Sequence, residues 1–230
     1  MSIHEGHRQR LKKMFREGGL DNFYEYQALE LLLYYCIPRR DTNPLAHRLI
    51  DHFGSLSQVM EAPVDELMQV EGMGEHSATF LHLVTEISRY YLVNRSTQVR
   101  ILQTIEDCAR YMMPYFFGRR NEMVFLLCLD AKCKVLCCRE VGEGIVNSAT
   151  ISVRKIVETA LAVNATSVVL AHNHPSGLAI PSGDDIQTTR RIAAALAAVD
   201  VTLVDHLVVA DEDYVSMVQS GHRFDDCTVL

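Results

Sequence analysis

Two histidines, His172 and His174, stand one residue apart directly after the apolar run TSVVL. Alternate residues of an extended strand point to the same side, so both imidazoles can face one point while Asn173 points elsewhere. Pro175 ends the strand, and the segment SGLAIPSG forms a loop long enough to fold back. Two imidazoles presented together at the end of a strand are suited to hold Zn²⁺.

A serine and an acidic residue open the helix that we predict after this loop. Ser182 starts the helix, and Asp185 lies in its first turn, where the folded-back loop can bring its carboxylate beside the two imidazoles. Two histidines and one carboxylate leave the fourth position of a tetrahedral zinc site open for water. The alternative is local: Ser182 and Asp185 match a helix capping box, and Asp184 suits the positive end of a helix dipole. Capping and ligation are compatible for the same side chains.

The elements around these residues alternate between strand and helix. We predict a helix near 105–115, a β-hairpin in EMVFLLCLDAKCKVLCCREV, a buried strand in TSVVLAH and another strand in VTLVDHLVVA. Two helices, in SVRKIVETALAVN and SGDDIQTTRRIAAALAAVD, separate the later strands. This succession predicts a mixed α/β domain over residues 96–230. Residues 1–95 predict a wholly helical domain, which the linker VNRSTQVR joins to the α/β domain.

The tight connection VEGMGE lies between two helices of this first domain and resembles a helix-hairpin-helix element. Gly72 and Gly74 would present backbone N–H groups to a DNA phosphate. However, Glu71 and Glu75 flank the turn, and residues 1–95 contain ten Lys and Arg against thirteen Asp and Glu. Contact with DNA and a purely structural connection therefore both stay open here.

Composition narrows the class of protein. The chain has 230 residues, of which 48% are hydrophobic, so it can form a packed core. Its net charge is −7, whereas proteins that bind duplex DNA are typically basic. We find no apolar run of roughly 20 residues, as a membrane helix requires, and no secretory signal, so we expect a cytoplasmic protein without membrane contact. Seven scattered cysteines indicate reduced core thiols and not a disulfide framework.

The spacing His-x-His, seven residues, Ser, two residues, Asp resembles the JAMM (MPN+) metalloprotease motif. The longer string HNHPSG is similar to the RadC-like (UPF0758) branch, and GHRQRLKKMF, VEGMGE, LLCLD and VDHLVV extend that resemblance over nearly the whole chain. The resemblance implies a JAMM/MPN-type mixed β-sheet flanked by helices, cytidine-deaminase-like in architecture. An all-α domain with a helix-hairpin-helix-like element precedes it.

The same resemblance implies a zinc-dependent hydrolase of the metallopeptidase type, acting on a peptide or protein. His172, His174 and Asp185 would hold Zn²⁺ and its water, and Ser182 would assist the developing oxyanion. Family position assigns the general base to Glu122, just before the first long strand. Glu140 and Glu143 are rivals, because they also precede the metal motif.

A DNA repair or recombination accessory protein with a structural or idle metal site is the alternative, in which DNA binds the helical domain. The sequence does not match the motif of zinc-dependent deaminases. His174 stands where a deaminase has glutamate, and the sequence contains no Pro-Cys-x-x-Cys. Asp205 and His206, in LVDHLVVA, are interpreted as structural residues or as support for the metal ligands.

Overall fold

The computed structural model describes residues 3–97, 101–143, 152–175 and 177–224, which form two compact units divided after Ser88. The helices that begin in the first unit are α1 (Ile3–Gly18), α2 (Glu25–Cys36), α3 (Asn43–Phe53), α4 (Leu56–Glu61), α5 (Val64–Leu67) and α6 (Glu75–Ser96). The elements of the second unit are α7 (Ile105–Met112), a 3₁₀ turn (Met113–Phe116), β1 (Met123–Leu129), β2 (Val135–Glu143), α8 (Val153–Ala162), β3 (Ser167–Asn173), α9 (Gly183–Ala197), β4 (Thr202–Ala210) and β5 (Asp213–Ser216). The predicted boundary between residues 95 and 96 stays a prediction.

The strands of the described residues form one sheet in the order β2-β1-β3-β4-β5. β1 pairs antiparallel with both β2 and β3, which confirms the predicted hairpin. β3 and β4 are parallel neighbours connected through α9, and β5 returns antiparallel to β4. The predicted mixed α/β architecture after a helical region is therefore confirmed, and β5 is an addition that the sequence patterns did not reveal.

Each face of the sheet packs against a separate hydrophobic core. Even-numbered residues of β1 and β3, such as Leu126 and Leu170, pack with Ile156 of α8 and Ile192 of α9. Odd-numbered residues of the same strands pack on the other side, against α7 and the 3₁₀ turn. Because successive side chains of a strand alternate between faces, residue parity on β1 and β3 reports which side of the sheet a residue occupies.

The first unit is helical throughout its described residues, apart from its connecting turns. Its largest core contains leucines of α2, α3, α5 and α6. Glu30 of α2 is fully buried and accepts a hydrogen bond from the Tyr34 hydroxyl at 2.5 Å. In the connection before α6, Gly72 has φ +97°, a conformation that favours glycine. The Gly74 N–H donates to the Ser77 hydroxyl at 3.1 Å, so one of the two groups proposed for phosphate contact is already bonded within the chain.

Parts of the sequence analysed above lie outside the residues that the structure describes. Positions 98–100 of the predicted linker, positions 144–151 and Cys227 lie outside the described residues. The six cysteines within those residues are free thiols, in agreement with the prediction of reduced cysteines. Within the same part of the chain, we find no helix that is long and apolar enough to cross a membrane.

Candidate metal centre

His172 and His174 lie at the C-terminal end of β3, where the chain leaves the sheet. The His174 N–H donates to the Val209 carbonyl at 2.8 Å, which prolongs the pairing of β3 with β4 past the last strand residue. This hydrogen bond keeps the chain extended through both histidines, so their imidazoles face the same side. His172 has even parity and faces α9, and its side chain is only 7% exposed.

Asp185 reaches the same point from the N-terminus of α9. The capping box that the sequence predicts is present: the Asp185 N–H donates to Ser182 Oγ at 3.1 Å. In return, the N–H and the hydroxyl of Ser182 donate to Asp185 Oδ2 at 2.8 Å and 2.6 Å. These bonds hold the Asp185 carboxylate over the end of β3 while they satisfy the helix terminus.

The three predicted ligands come together, with their donor atoms all within 4.8 Å of one another. His172 Nε2 lies 2.9 Å from His174 Nε2, and the Asp185 oxygens lie 3.5 Å and 3.6 Å from these two nitrogens. A tetrahedral zinc ion with bonds of about 2.0–2.1 Å separates its ligand atoms by roughly 3.3 Å. The two imidazole nitrogens lie somewhat closer than that value, and each has a different Asp185 oxygen slightly farther away. Two imidazoles and one carboxylate at these distances are a donor set that suits Zn²⁺.

The outer nitrogens of both imidazoles are hydrogen-bonded as metal-bound histidines require. His174 Nδ1 lies 3.0 Å from the Leu178 carbonyl, which can only accept, so Nδ1 has the proton and Nε2 keeps a free lone pair. His172 Nδ1 lies 2.8 Å from His206 Nε2. His206 Nδ1 in turn lies 2.6 Å from the Thr189 hydroxyl, which donates to the Asp185 carbonyl at 2.6 Å.

When a metal coordinates His172 Nε2, the donor and acceptor of every hydrogen bond in this chain are fixed. His172 then donates from Nδ1 to His206 Nε2, and His206 donates from Nδ1 to Thr189. Burial, with a smaller effect from His172, lowers the pKa of His206 well below its ordinary value, so its ring is neutral and has a single proton. The chain therefore fixes the tautomer of His172 and ends on the main chain of the third ligand.

Asp185 stays ionised in this environment. Burial alone would raise its pKa, but hydrogen bonding and charge from His172, with the hydrogen bonds from Ser182, outweigh burial and hold the pKa far below its usual range. A carboxylate that is charged at neutral pH is the form that binds a cation. Asp205, next to His206, has a different role: it accepts hydrogen bonds from the Ser216 hydroxyl and from the N–H groups of His206 and Val218. It thus anchors β4 behind the site.

Glu122, the predicted base, is half-buried and immediately precedes β1. Val124 pairs directly with His172, and opposed residues of antiparallel strands share a face. Glu122 lies two residues before Val124, so strand alternation puts it on the α9 side of the sheet, with the cluster.

The rival glutamates lie on the opposite face of the sheet. Glu140 pairs with Phe125 and Glu143 pairs with Met123, and both partners pack in the core on the α7 side. A register shift between Val124 and Phe125 separates these two pairs, but it leaves both glutamates on the same side. The register therefore favours Glu122 among the three candidates.

Asn173, between the two histidines, points away from the imidazoles and towards β1. Its Oδ1 accepts from the Met123 N–H at 2.7 Å, and its Nδ2 donates to the Asn121 carbonyl at 3.1 Å. The sequence patterns identified neither this contact nor the place of Thr189 beside His206. Each contact joins residues that are distant in the chain, and the only local signal is a polar residue inside an otherwise apolar buried surface.

Comparison with known proteins agrees with this architecture. The family model described as RadC-like JAB domain matches residues 102–222. A UPF0758 protein of Fusobacterium nucleatum is 32% identical over 224 residues, covering 94% of this chain and 97% of the relative. A UPF0758 protein of Ruegeria pomeroyi is 34% identical over 216 residues, covering 94% of this chain and 96% of the relative. The two relatives match the helical region as well as the candidate metal centre.

Proposed function

Because the chain belongs to the RadC-like JAB domain family, we propose that it is a zinc-dependent hydrolase that cleaves amide or isopeptide bonds in peptides or proteins. One observation carries the proposal: donor atoms of three side chains lie within 4.8 Å of one another, and the other nitrogen of each imidazole is already hydrogen-bonded. Ion pairs and ordinary polar contacts do not require that arrangement, whereas metal ligation does.

His172, His174 and Asp185 would hold the ion. When bound there, Zn²⁺ supplies Lewis acidity, which lowers the pKa of a coordinated water to roughly 7 and polarises a carbonyl group. The open side of the cluster is left to water and substrate, because the protein supplies three ligands and a tetrahedral ion takes four.

Glu122 would transfer the proton. It immediately precedes β1, and side-chain alternation from Val124 supports a position on the α9 side of the sheet. From there a carboxylate can accept a proton from the attacking water and give it to the departing amine. The water oxygen forms a bond to the carbonyl carbon, the C–N bond breaks, and the products are a carboxylic acid and an amine. No other reactant is needed.

Ser182 would stabilise the developing negative charge on the carbonyl oxygen. Its oxygen is held by the Asp185 N–H, and its single hydroxyl hydrogen, now on Asp185 Oδ2, can turn to a substrate oxygen at the exposed rim of the site. One such donor contributes on the order of 10²–10³-fold to turnover in comparable enzymes. The free thiols of the described residues favour a reducing compartment and support the expected cytoplasmic location.

The test begins with metal content and proceeds to activity. Purified protein should contain one equivalent of zinc, and His174→Ala should lose it. Peptide, isopeptide and DNA substrates are then screened with zinc-loaded wild type, Glu122→Gln and, as a matched control, Glu143→Gln. Removal of the general base should lower kcat by about 10²–10⁴-fold, whereas the control keeps wild-type activity.

Three outcomes would contradict the proposal. Zinc binding that survives His174→Ala would place the metal elsewhere. Hydrolysis by Glu122→Gln at the wild-type rate would remove Glu122 from the chemistry. Metal-loaded protein that leaves every peptide and isopeptide intact but cleaves or tightly binds DNA would favour the alternative of a DNA accessory protein.

A further inference from the structure

We propose that Asn173 is a positioning residue that sets the place of Glu122 relative to the metal ligands. This inference rests on the proposed function, because it takes Glu122 as the general base. Asn173 lies between His172 and His174 on β3, and its carboxamide bonds the main chain on both sides of Glu122. One side chain thus connects the strand of the ligands to the residue that precedes β1.

The contacts are short and shielded from water. Asn173 is only 6% exposed, and Met123, whose N–H it accepts at 2.7 Å, is 1% exposed. The second contact, from Nδ2 to the Asn121 carbonyl at 3.1 Å, uses the other half of the carboxamide. The Asn121 carbonyl and the Met123 N–H point to the same side of the chain, as they do around the central residue of an extended segment.

The carboxamide replaces strand pairing where regular pairing ends. The β1–β3 register runs from the Leu129–Ser167 pair to the Val124–His172 pair, and Glu122 lies beyond it. On the other edge of β1, pairing with β2 shifts between Val124 and Phe125, so that neighbour holds the start of β1 less regularly. Asn173 is therefore the contact that extends the hold of β3 over residues 121–123.

The orientation of Glu122 depends on that hold. Side chains alternate along a strand, so a one-residue displacement or fraying at this end would turn the carboxylate away from the α9 side. Asparagine matches the requirement, since it offers one acceptor and one donor at fixed separation. Aspartate would keep the acceptor for Met123 but would oppose the Asn121 carbonyl with a second oxygen, and alanine would offer neither group.

The test uses zinc-loaded full-length protein carrying Asn173→Ala or Asn173→Asp. The matched control is Thr166→Val, because the Thr166 hydroxyl donates to the Leu129 carbonyl at 3.3 Å, at the opposite end of the same two strands. We expect both Asn173 variants to bind zinc with wild-type affinity. In Asn173→Ala, amide exchange at Met123 should accelerate on the order of tenfold, the effect of one lost hydrogen bond.

Turnover should respond as it does to misplacement of a base. A displacement of about 1 Å costs on the order of 10²-fold in rate, so Asn173→Ala should lower kcat by about that factor while KM stays constant. Combined with Glu122→Gln, it should cause no further loss, because the group that it positions is already absent. A merely structural role would lower the residual activity of the Glu122→Gln background as well.

Cobalt(II) gives a readout that needs no substrate. In the cobalt-loaded protein, the pseudocontact shifts of the Glu122 and Met123 amide protons should change in Asn173→Ala, and those of residues 126–129 should stay the same. If Asn173→Ala left the pseudocontact shifts and amide exchange at Met123 unchanged, or left kcat unchanged, the role of Asn173 would be overturned while the proposed function could still hold. Absence of zinc, or full activity of Glu122→Gln, would instead overturn the proposed function.

Discussion

Replacing Thr189 by valine should weaken zinc binding although Thr189 is not a ligand. The substitution keeps the side-chain shape and removes the hydroxyl that accepts from His206 and donates to the Asp185 carbonyl. In the zinc-bound protein, His172 must donate from Nδ1, so His206 must have its proton on Nδ1, facing the lost hydroxyl. His206 is 1% exposed, and water cannot substitute for that acceptor.

The magnitude follows from the buried N–H group. A buried donor without an acceptor costs about 1–3 kcal/mol. The metal-free protein avoids part of that cost, because both imidazoles can exchange tautomers and His206 can then direct a lone pair, not an N–H, at the valine. The remaining difference, about 1.4 kcal/mol, lowers zinc affinity about tenfold, the lower end of the effect seen when supporting groups of metal sites are removed.

Competition against a fluorescent zinc chelator at pH 7 measures the affinity, and long-range ¹H–¹⁵N NMR of the imidazoles reports the tautomers. Thr188→Val is the matched control, since Thr188 is 4% exposed and adjacent on α9 but lies outside the chain of hydrogen bonds. Wild-type zinc affinity in Thr189→Val, with His206 still protonated on Nδ1, would refute the reasoning. An equal loss in Thr188→Val would show a general disturbance of α9.

Two further predictions concern the start of α9. Ser182→Ala should lower stability by about 1 kcal/mol and Ser182→Gly by only a few tenths, because glycine is a better helix cap than alanine. Turnover should fall equally in both variants, since both lack the hydroxyl. If Ser182→Gly instead kept more activity than Ser182→Ala, Ser182 would act only as a helix cap. In chelator-treated protein, Asp185→Asn should lower the free energy of unfolding at neutral pH. Because the folded-state pKa of Asp185 is depressed, this loss of stability should shrink as pH falls below about 3.9, the pKa of the unfolded chain. Urea titrations at several pH values measure the free energy of unfolding, and a loss that does not change with pH would contradict the prediction.

Much of the architecture could be predicted because its signals are local. The strand of the two histidines is a continuous apolar run, and α9 begins at a capping box that the letters Ser182-x-x-Asp185 display directly. β5 has only four residues and an exposed start, so its pattern is too short to distinguish from a turn.

The parts of the site that escaped prediction depend on register. The side of the sheet on which Glu122 lies follows from the Val124–His172 pairing, which joins residues that are far apart in the chain. The position of Glu143 on the opposite face further depends on a β-bulge next to Phe125, which no composition or periodicity reveals. Asn173 and Thr189 have neutral side chains whose importance comes only from the partners that this pairing provides.

Because the loop folds back onto β3, the candidate metal ligands could be transferred to another protein as one segment. All three ligands belong to one strand–loop–helix segment, residues 172–185, and that segment also contains the capping box that orients the carboxylate. Grafted at the end of a buried parallel strand in another α/β scaffold, the segment should keep the three side chains together, and counterparts of His206 and Thr189 would have to be added to support His172. The graft should not bring the proposed hydrolysis, because the proposed general base, Glu122, precedes a different strand. The candidate metal ligands are thus contiguous in the chain, whereas the proposed catalytic arrangement requires the assembled sheet.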